Sequence, residues 1–514
     1  MKRLLLLLFL VTPCFGAEEI DYFGEFEKLY IHKLNPPEDN GLRLMIAAIG
    51  PRILEQAALA DAVPRWEDMP THEYGKFWFE NRWKPLCEHL SIDPYKKPMF
   101  YDSLPPSYFS WMHSRENEGK GIPGDENGQK LYDKLIAAPW KAEEYPEVAE
   151  VLQKRNVILD YFGHCVRKPN YVCWRQRAEE GMYGILLPDV QAQRDFARDL
   201  QVRVTYRIGA GDSEGAWYDI MSMLTLARKH YKNDPIIVIN LVGAAVERMG
   251  YDAAKILVKH GNLSKDQLLR FSKELDALPL GNSWFDGWIT ERYMLFDFCR
   301  RFNTDLKEQL SGYENISGQR IIERLDKILE KLGDKPINQE IARNRILQLQ
   351  EKCKAEQITF EEIFSNRLLL CQYMENLHKK IARAEEVLDK QIQVADFSQE
   401  ETRSQIVADT VFALFAPALG AVGAVYNNCD SELTLLKIAV ALERYKHDHG
   451  DYPETLEALL LTYLEEIPID PSTSRSTITY KKDGEKFLLY SYGPNQKDDG
   501  GQADPNRHEG DIVF

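Results

Sequence analysis

The stretch ALERYKHDHGDYPETLEALLLTYLEEIPIDP, Ala441 to Pro471, followed by TITYKKDGEKFLLYSYGPN, Thr477 to Asn495, decides the fold of the C-terminal part. An amphipathic helix over Leu433 to His449 is expected to stop at Gly450, because glycine enters the left-handed conformation that ends helices without a Cβ penalty. Tyr452 and Pro453 lead to a short helix around Leu456 to Tyr463, and Pro468, Asp470 and Pro471 mark a turn. Thr477 to Lys481 and Lys486 to Ser491 then read as two short strands joined at Asp483 and Gly484, a strong local hairpin signal. A helix packed on a small antiparallel sheet makes residues 430–514 an α+β unit.

Upstream, the grammar is that of helices. Asp21 to Leu34 has helical spacing, and a second helix begins at Glu38 and Asp39 and stops at Gly50 and Pro51. Residues 61–142 are loop-rich, with prolines from Pro64 to Pro123 interrupting an aromatic run that contains Trp66, Trp78, Trp83 and Trp111. From Tyr145 to Ile392 helices dominate, with segments predicted at Ser213 to His230, Ile237 to His260, Lys265 to Leu275 behind a Ser264 and Gln267 capping box, Trp288 to Arg301, and Thr359 to Ile392. Asp195 to Ile208 fits both a helix and a strand, and the glycines after it arbitrate. Gly209, Gly211 and Gly215 miss the dinucleotide spacing by one residue, and Asp212 and Glu214 would face the phosphates, so a helix, a Gly-Ala-Gly-Asp turn and a second helix are expected. The fold class is therefore mainly α, an irregular helical-hairpin domain followed by the small α+β head. The expected divisions are 1–16, 17–142, 143–405, 406–429 and 430–514.

Within 406–429, Thr410 to Val425 (TVFALFAPALGAVGAV) is uncharged but carries Pro417, Gly420 and Gly423. A bilayer span takes roughly 20 apolar residues. A buried helix or helical hairpin is preferred, and membrane association through 410–425 is the less favoured reading.

Met1 to Gly16 (MKRLLLLLFLVTPCFG) has two basic residues, an apolar run from Leu4 to Val11 and small residues before Ala17, the pattern of a secretory signal peptide. The expected location is extracytoplasmic, periplasmic or secreted. The 514 residues carry a formal charge of −16, which argues against nucleic acid as a partner; loss of Lys2 and Arg3 takes it to −18. Of the cysteines, Cys165 and Cys173 form the only close pair, and buried thiols are expected there in preference to a disulfide.

The run Ala441 to Leu460, then Pro468, Asp470 and Pro471, then YSYGPN (Tyr490 to Asn495), DDGG (Asp498 to Gly501) and GDI (Gly510 to Ile512) resembles the globular head of the type II secretion major pseudopilin. The resemblance covers about a sixth of the chain. It implies one calcium ion in the C-terminal loop, held by Asn495, which stands where the family has an aspartate, by Asp511, and by an acid between them, Asp504 being the best placed. The asparagine removes one ligand charge. The composition agrees, because calcium takes six to eight hard oxygens and the same loop offers Asp498, Asp499, Asn506 and Glu509 as well. The loop is not an EF-hand, since counting from Asn495 puts Lys497 at the third position. The family's N-terminal cleavage sequence and long apolar helix are missing, so filament formation is not expected. The whole layout also resembles uncharacterised bacterial envelope proteins.

Enzyme signatures stop short. His72 and Glu73 open a metalloprotease motif that Lys76 closes wrongly, and Gly281 to Phe285 opens a nucleophile elbow without its last glycine. His447 and His449 flank Asp448 at a helix end, where a surface cap outweighs a metal site. The expected function is a non-enzymatic binding or scaffold protein with a calcium-stabilised head and a protein or envelope partner. The alternative is a secreted hydrolase, for example glycan-directed, with its site in the aromatic region.

Overall fold

The computed structural model describes residues 22–30, 34, 37–50, 83–99, 107–108, 128–175, 188–230, 236–278, 400–473, 476–503 and 510–514, with positions 182, 185, 187, 234 and 297. The leader 1–16, Trp66, Trp78, Trp111, the helices expected at Trp288 to Arg301 and Thr359 to Ile392, and Asp504, Asn506 and Glu509 lie outside the described residues, position 297 excepted. Two compact units are present. One comprises Phe26–Ala178, Ile185–Glu291 and Val422–Phe514, and the other Met1–Glu25, Glu179–Gly184 and Arg292–Ala421. In the latter, the Met182 amide donates to buried Asp297 at 2.9 Å.

The described elements are mostly helical. In chain order they are α1 (Tyr22–Tyr30), α2 (Gly41–Ile49), α3 (Lys84–His89), α4 (Gly128–Ala137), α5 (Pro146–Val166), α6 (Pro188–Gly209), α7 (Ser213–Thr225), α8 (Ile237–His260), α9 (Lys265–Asp276) and α10 (Glu400–His449), then β1 (Thr479–Asp483), β2 (Lys486–Ser491) and β3 (Ile512–Val513). Local chemistry sets the ends. The Asn40 side chain accepts from the Arg43 amide at the start of α2, and Gly50 closes it with φ +77°. Ser264 and Gln267 form the reciprocal capping box at the start of α9. Gly211, at φ +79°, makes the turn after α6, and Asp212 caps α7 by accepting from the Gly215 amide at 2.8 Å. That acid satisfies a helix terminus, which is why the glycines between α6 and α7 form a turn and not a phosphate cradle.

Helix α6, PDVQAQRDFARDLQVRVTYRIG, buries Phe196, Leu200, Val204 and Ile208 and several of its charged residues as well, because it lies inside, packed against α7, α8, α5 and α4. Its buried charges are paired. Asp199 meets Arg155 at 2.6 Å, Arg203 meets Asp219 at 2.6 Å, and Asp189 meets Arg175 at 2.5 Å. Tyr132 donates to Gln201 at 2.6 Å and the Trp140 indole to Thr205 at 3.1 Å. Burial raises the carboxyls of Asp199 and Asp219 above their ordinary range, and the facing guanidiniums offset only part of that rise. Around these pairs Leu131, Leu135, Trp140, Val148, Leu152 and Val202 form a hydrophobic cluster.

A further buried cation sits where a π-helical turn, Leu226–His230, follows α7. Arg228, fully buried, pairs with Glu247 of α8 and donates to the Tyr251 hydroxyl at 2.9 Å, the Cys429 carbonyl at 3.0 Å and Asp430 at 2.9 Å.

Three details depart from the sequence reading. Helix α10 runs unbroken from Glu400 to His449 through Pro417, so the apolar segment and the first helix of the C-terminal unit are one element. Among the described residues no helix is long and apolar enough to cross a membrane. The hairpin loop is Gly484 and Glu485, one residue later than expected, because Asp483 pairs with Lys486 and Gly484, at φ +59°, supplies the positive first position of the loop. Finally, the short helix after Pro453 is a single 3-10 turn, Leu456–Leu459.

The sheet is antiparallel in the order β1-β2-β3, with Tyr490 opposite Val513 and Ser491 opposite Ile512. It packs on α10 through Leu435, Ile438, Leu442, Ile478, Leu489 and Ile512. The carboxylate of buried Asp470 accepts from Ser472, Ser491 and the Tyr492 amide, and Ser491 reaches Ser431 of α10 at 3.1 Å. The expected helix-on-sheet unit is therefore present. Cys165 and Cys173 are buried and not joined in a disulfide, and Cys87 and Cys429 are buried too; burial pushes the Cys165 thiol up to about 12.

Candidate functional site

The C-terminal loop begins where β2 ends. Gly493, at φ +65°, lies so close to the other limb that a Cβ there would stand 2.2 Å from the Gly510 carbonyl oxygen. Gly500, Gly501 and Gly510 also take positive φ, which turns the chain back on itself. This winding buries Asp511, 2% exposed, at the loop's base. Its carboxylate accepts from the Gly501 amide at 2.7 Å and the Asp499 amide at 3.4 Å. Burial raises the Asp511 carboxyl above its ordinary range; those two amides lower it, and the neighbouring charges of Asp499 and Asp498 raise it again.

Of the residues expected to hold an ion, Asn495, Asp499 and Asp511 converge. The Asn495 amide nitrogen donates to Asp499 at 2.7 Å, while its oxygen accepts from the Lys497 amide at 3.0 Å. Asp498 turns elsewhere. It accepts from the Gly500 amide at 2.9 Å and the Tyr490 hydroxyl at 2.8 Å, and these bonds hold its carboxyl below the ordinary range. Among the described residues no three His, Cys, Asp or Glu side chains are grouped for a metal. The carboxylates of Asp499 and Asp511 are hard oxygens of the kind calcium takes, but the contacts that join the three residues are N–H to oxygen bonds, from the Asn495 side-chain amide to Asp499 and from the Asp499 backbone amide to Asp511.

Beyond β3 the same strand leads to a cleft of about 910 Å³ between α8, the end of α10 and the sheet. The head is held there by side chains. Lys255 of α8 donates to the Val513 carbonyl at 2.8 Å, Lys265 pairs with Asp448, His447 contacts the Leu263 carbonyl at 2.9 Å, and Lys437 pairs with Asp276 at 3.1 Å. His447 and His449 are thus engaged as a helix end, His449 with the Tyr445 carbonyl at 3.0 Å. The cleft is lined by Tyr452, Phe487 and Phe514, and by four lysines, Lys255, Lys259, Lys446 and Lys486, against three carboxylates.

The sequence reading did not find this cleft. A local sign was present, since Lys255 and Lys259 stand four residues apart and so share a helix face, but the facing Lys486 and Phe487 are over 200 residues away. In comparison with known proteins, no family model, no curated protein and no solved structure matches the chain.

Proposed function

We propose that the chain is an extracytoplasmic, non-enzymatic binding or scaffold protein whose pseudopilin-like C-terminal head is stabilised by calcium. It acts on a protein or envelope partner and not on nucleic acid. The observation that carries the binding reading is the cleft, where a head fixed to α8 and α9 leaves cations and aromatic rings facing an open volume. The leader-like Met1 to Gly16 supports export. The order of Ala441 to Leu460, Tyr490 to Asn495 and Gly510 to Ile512 supports the head, and the convergence of Asn495, Asp499 and Asp511 supports the ion.

Calcium is tested by thermal melts of the full chain with calcium and with chelator. The wild type is expected to melt higher with calcium, and Asp511→Ala to lose that response. An equal rise in both removes the proposed ligands. Export is tested by expression in a bacterium with two membranes. A product shortened by the leader and recovered outside the cytoplasm is expected, and an intact cytoplasmic product overturns the assignment.

A further inference from the structure

We propose that the cleft between α8, α10 and the sheet is a binding site for a small organic anion that carries an apolar ring. This deepens the binding reading and rests on it.

The floor supplies the apolar part. Tyr452 meets Phe487 edge to face at 4.9 Å between ring centres, and Phe487 stacks on Phe514 at 6.2 Å with planes 18° apart. Phe487 and Phe514 are only partly buried, so ring surface remains open to the cleft. A further ring can join such a group by offset or edge contact, a gain beyond area burial alone. The volume of about 910 Å³ falls in the range of small-ligand sites.

The walls supply the charge. Lys446 stands 4.4 Å from the Tyr452 ring centre and Lys255 6.0 Å from that of Phe514, so both ammonium groups are drawn along the ring faces. Lys259 at the end of α8 and Lys486 at the start of β2 are exposed, and neither has an ion pair or a hydrogen-bonded side chain among the described residues. Of the three carboxylates in the wall, Glu443 is occupied by the Tyr452 hydroxyl at 2.5 Å. A positive surplus with unpaired ammonium groups, in a chain of formal charge −16, selects an anion at this place. The lining therefore combines open ring surface with cations, which matches a ligand that carries both a ring and a carboxylate or sulfonate.

The probe is 8-anilinonaphthalene-1-sulfonate, added to the full chain in calcium and read by fluorescence; its uncharged analogue N-phenyl-1-naphthylamine is titrated in parallel. One sulfonate per chain is expected, with Lys259→Glu/Lys486→Glu weakening it at least about fivefold, since two facing charges change sign. The control Lys154→Glu/Lys273→Glu, equal in net charge but outside the cleft, is expected to bind as the wild type does. The uncharged analogue is expected to ignore both variants. Absent saturable binding, equal weakening in both variants, or equal weakening of the two probes overturns the proposal. Circular dichroism of each variant confirms that these exposed substitutions leave the fold intact, and Lys259→Gln/Lys486→Gln provides an intermediate loss without charge reversal. A negative calcium melt leaves these outcomes unaffected, so failure of the ion and failure of the cleft are told apart.

Discussion

Replacing Arg228 by methionine tests whether the interior depends on paired charge. The guanidinium is wholly buried, and its partners Glu247 and Tyr251 are 3% and 1% exposed. Burial alone would lower the Arg228 pKa, but Tyr251, Glu247 and Asp430 reverse that and raise it, so the side chain stays charged at any accessible pH. Methionine approximates the volume but leaves the Glu247 carboxylate inside with only the Tyr251 hydroxyl. Asp430, 30% exposed, can turn to water. Removing one partner of a buried pair costs about 3–5 kcal/mol because the other charge remains in low dielectric. Adding Glu247→Gln removes that charge and keeps an oxygen for Tyr251, so the double variant is expected within about 2 kcal/mol of the wild type. Denaturant melts followed by far-UV circular dichroism and tryptophan fluorescence give the four corners of the cycle. A loss below about 1 kcal/mol for Arg228→Met, or a double variant weaker than the single, would refute the reasoning.

Further outcomes follow from other sites. Folding raises the Asp511 carboxyl above its ordinary value of 3.8, so the folded chain keeps a proton that the unfolded chain has lost, and stability from this group falls as pH rises through that window. With chelator present, the wild-type melting temperature should therefore fall relative to Asp511→Asn as pH rises above 3.8, and a constant difference would contradict it. Gly41→Ala places a Cβ 1.9 Å from the Cys165 carbonyl oxygen and should cost about 1–3 kcal/mol or more, read as a lowered denaturation midpoint. Ser264→Ala removes one half of the α9 capping box and should cost about 1 kcal/mol, with Ser264→Asp recovering most of it. Cys87, Cys165, Cys173 and Cys429 are buried and should ignore a thiol reagent at pH 8 until denaturant is added; rapid labelling of any of them in the folded chain would contradict their burial.

Much of this architecture is legible where its cause is local. Ser264 with Gln267, Asp212 with Gly215, and the glycines at 50 and 211 carry their own reasons for ending or starting a helix, and the predicted Ile237 to His260 agrees with α8 at both ends. Where the cause is tertiary, the reading falls short. Pro417, Gly420 and Gly423 read as a break because propensity is a local quantity, yet α10 continues through them. The hairpin slides by one residue because the pairing of Asp483 with Lys486 and of Ser491 with Ile512 fixes the register from the partner strands. Asn495, Asp499 and Asp511 were legible as oxygen donors in a glycine-rich loop, but only the fold turns Asp498 away to Tyr490. The cleft was not legible, since its lysines and rings come from α8, α10, β2 and the end of β3.

The inward charges of α6 bear on how the helical body tolerates error. A helix held by an oily stripe can slide or roll by a residue and lose only contact area. Were α6 to rotate by one residue, Asp189, Asp199 and Arg203 would all leave their partners at once, each stranded away from water at several kcal/mol. Slipped packings are therefore excluded by penalty as well as by poor fit. The same wiring couples the effects of change: replacing a charge in α6 strands its opposite number on α5, α7 or the segment after Tyr171, so a paired replacement costs less than either single one.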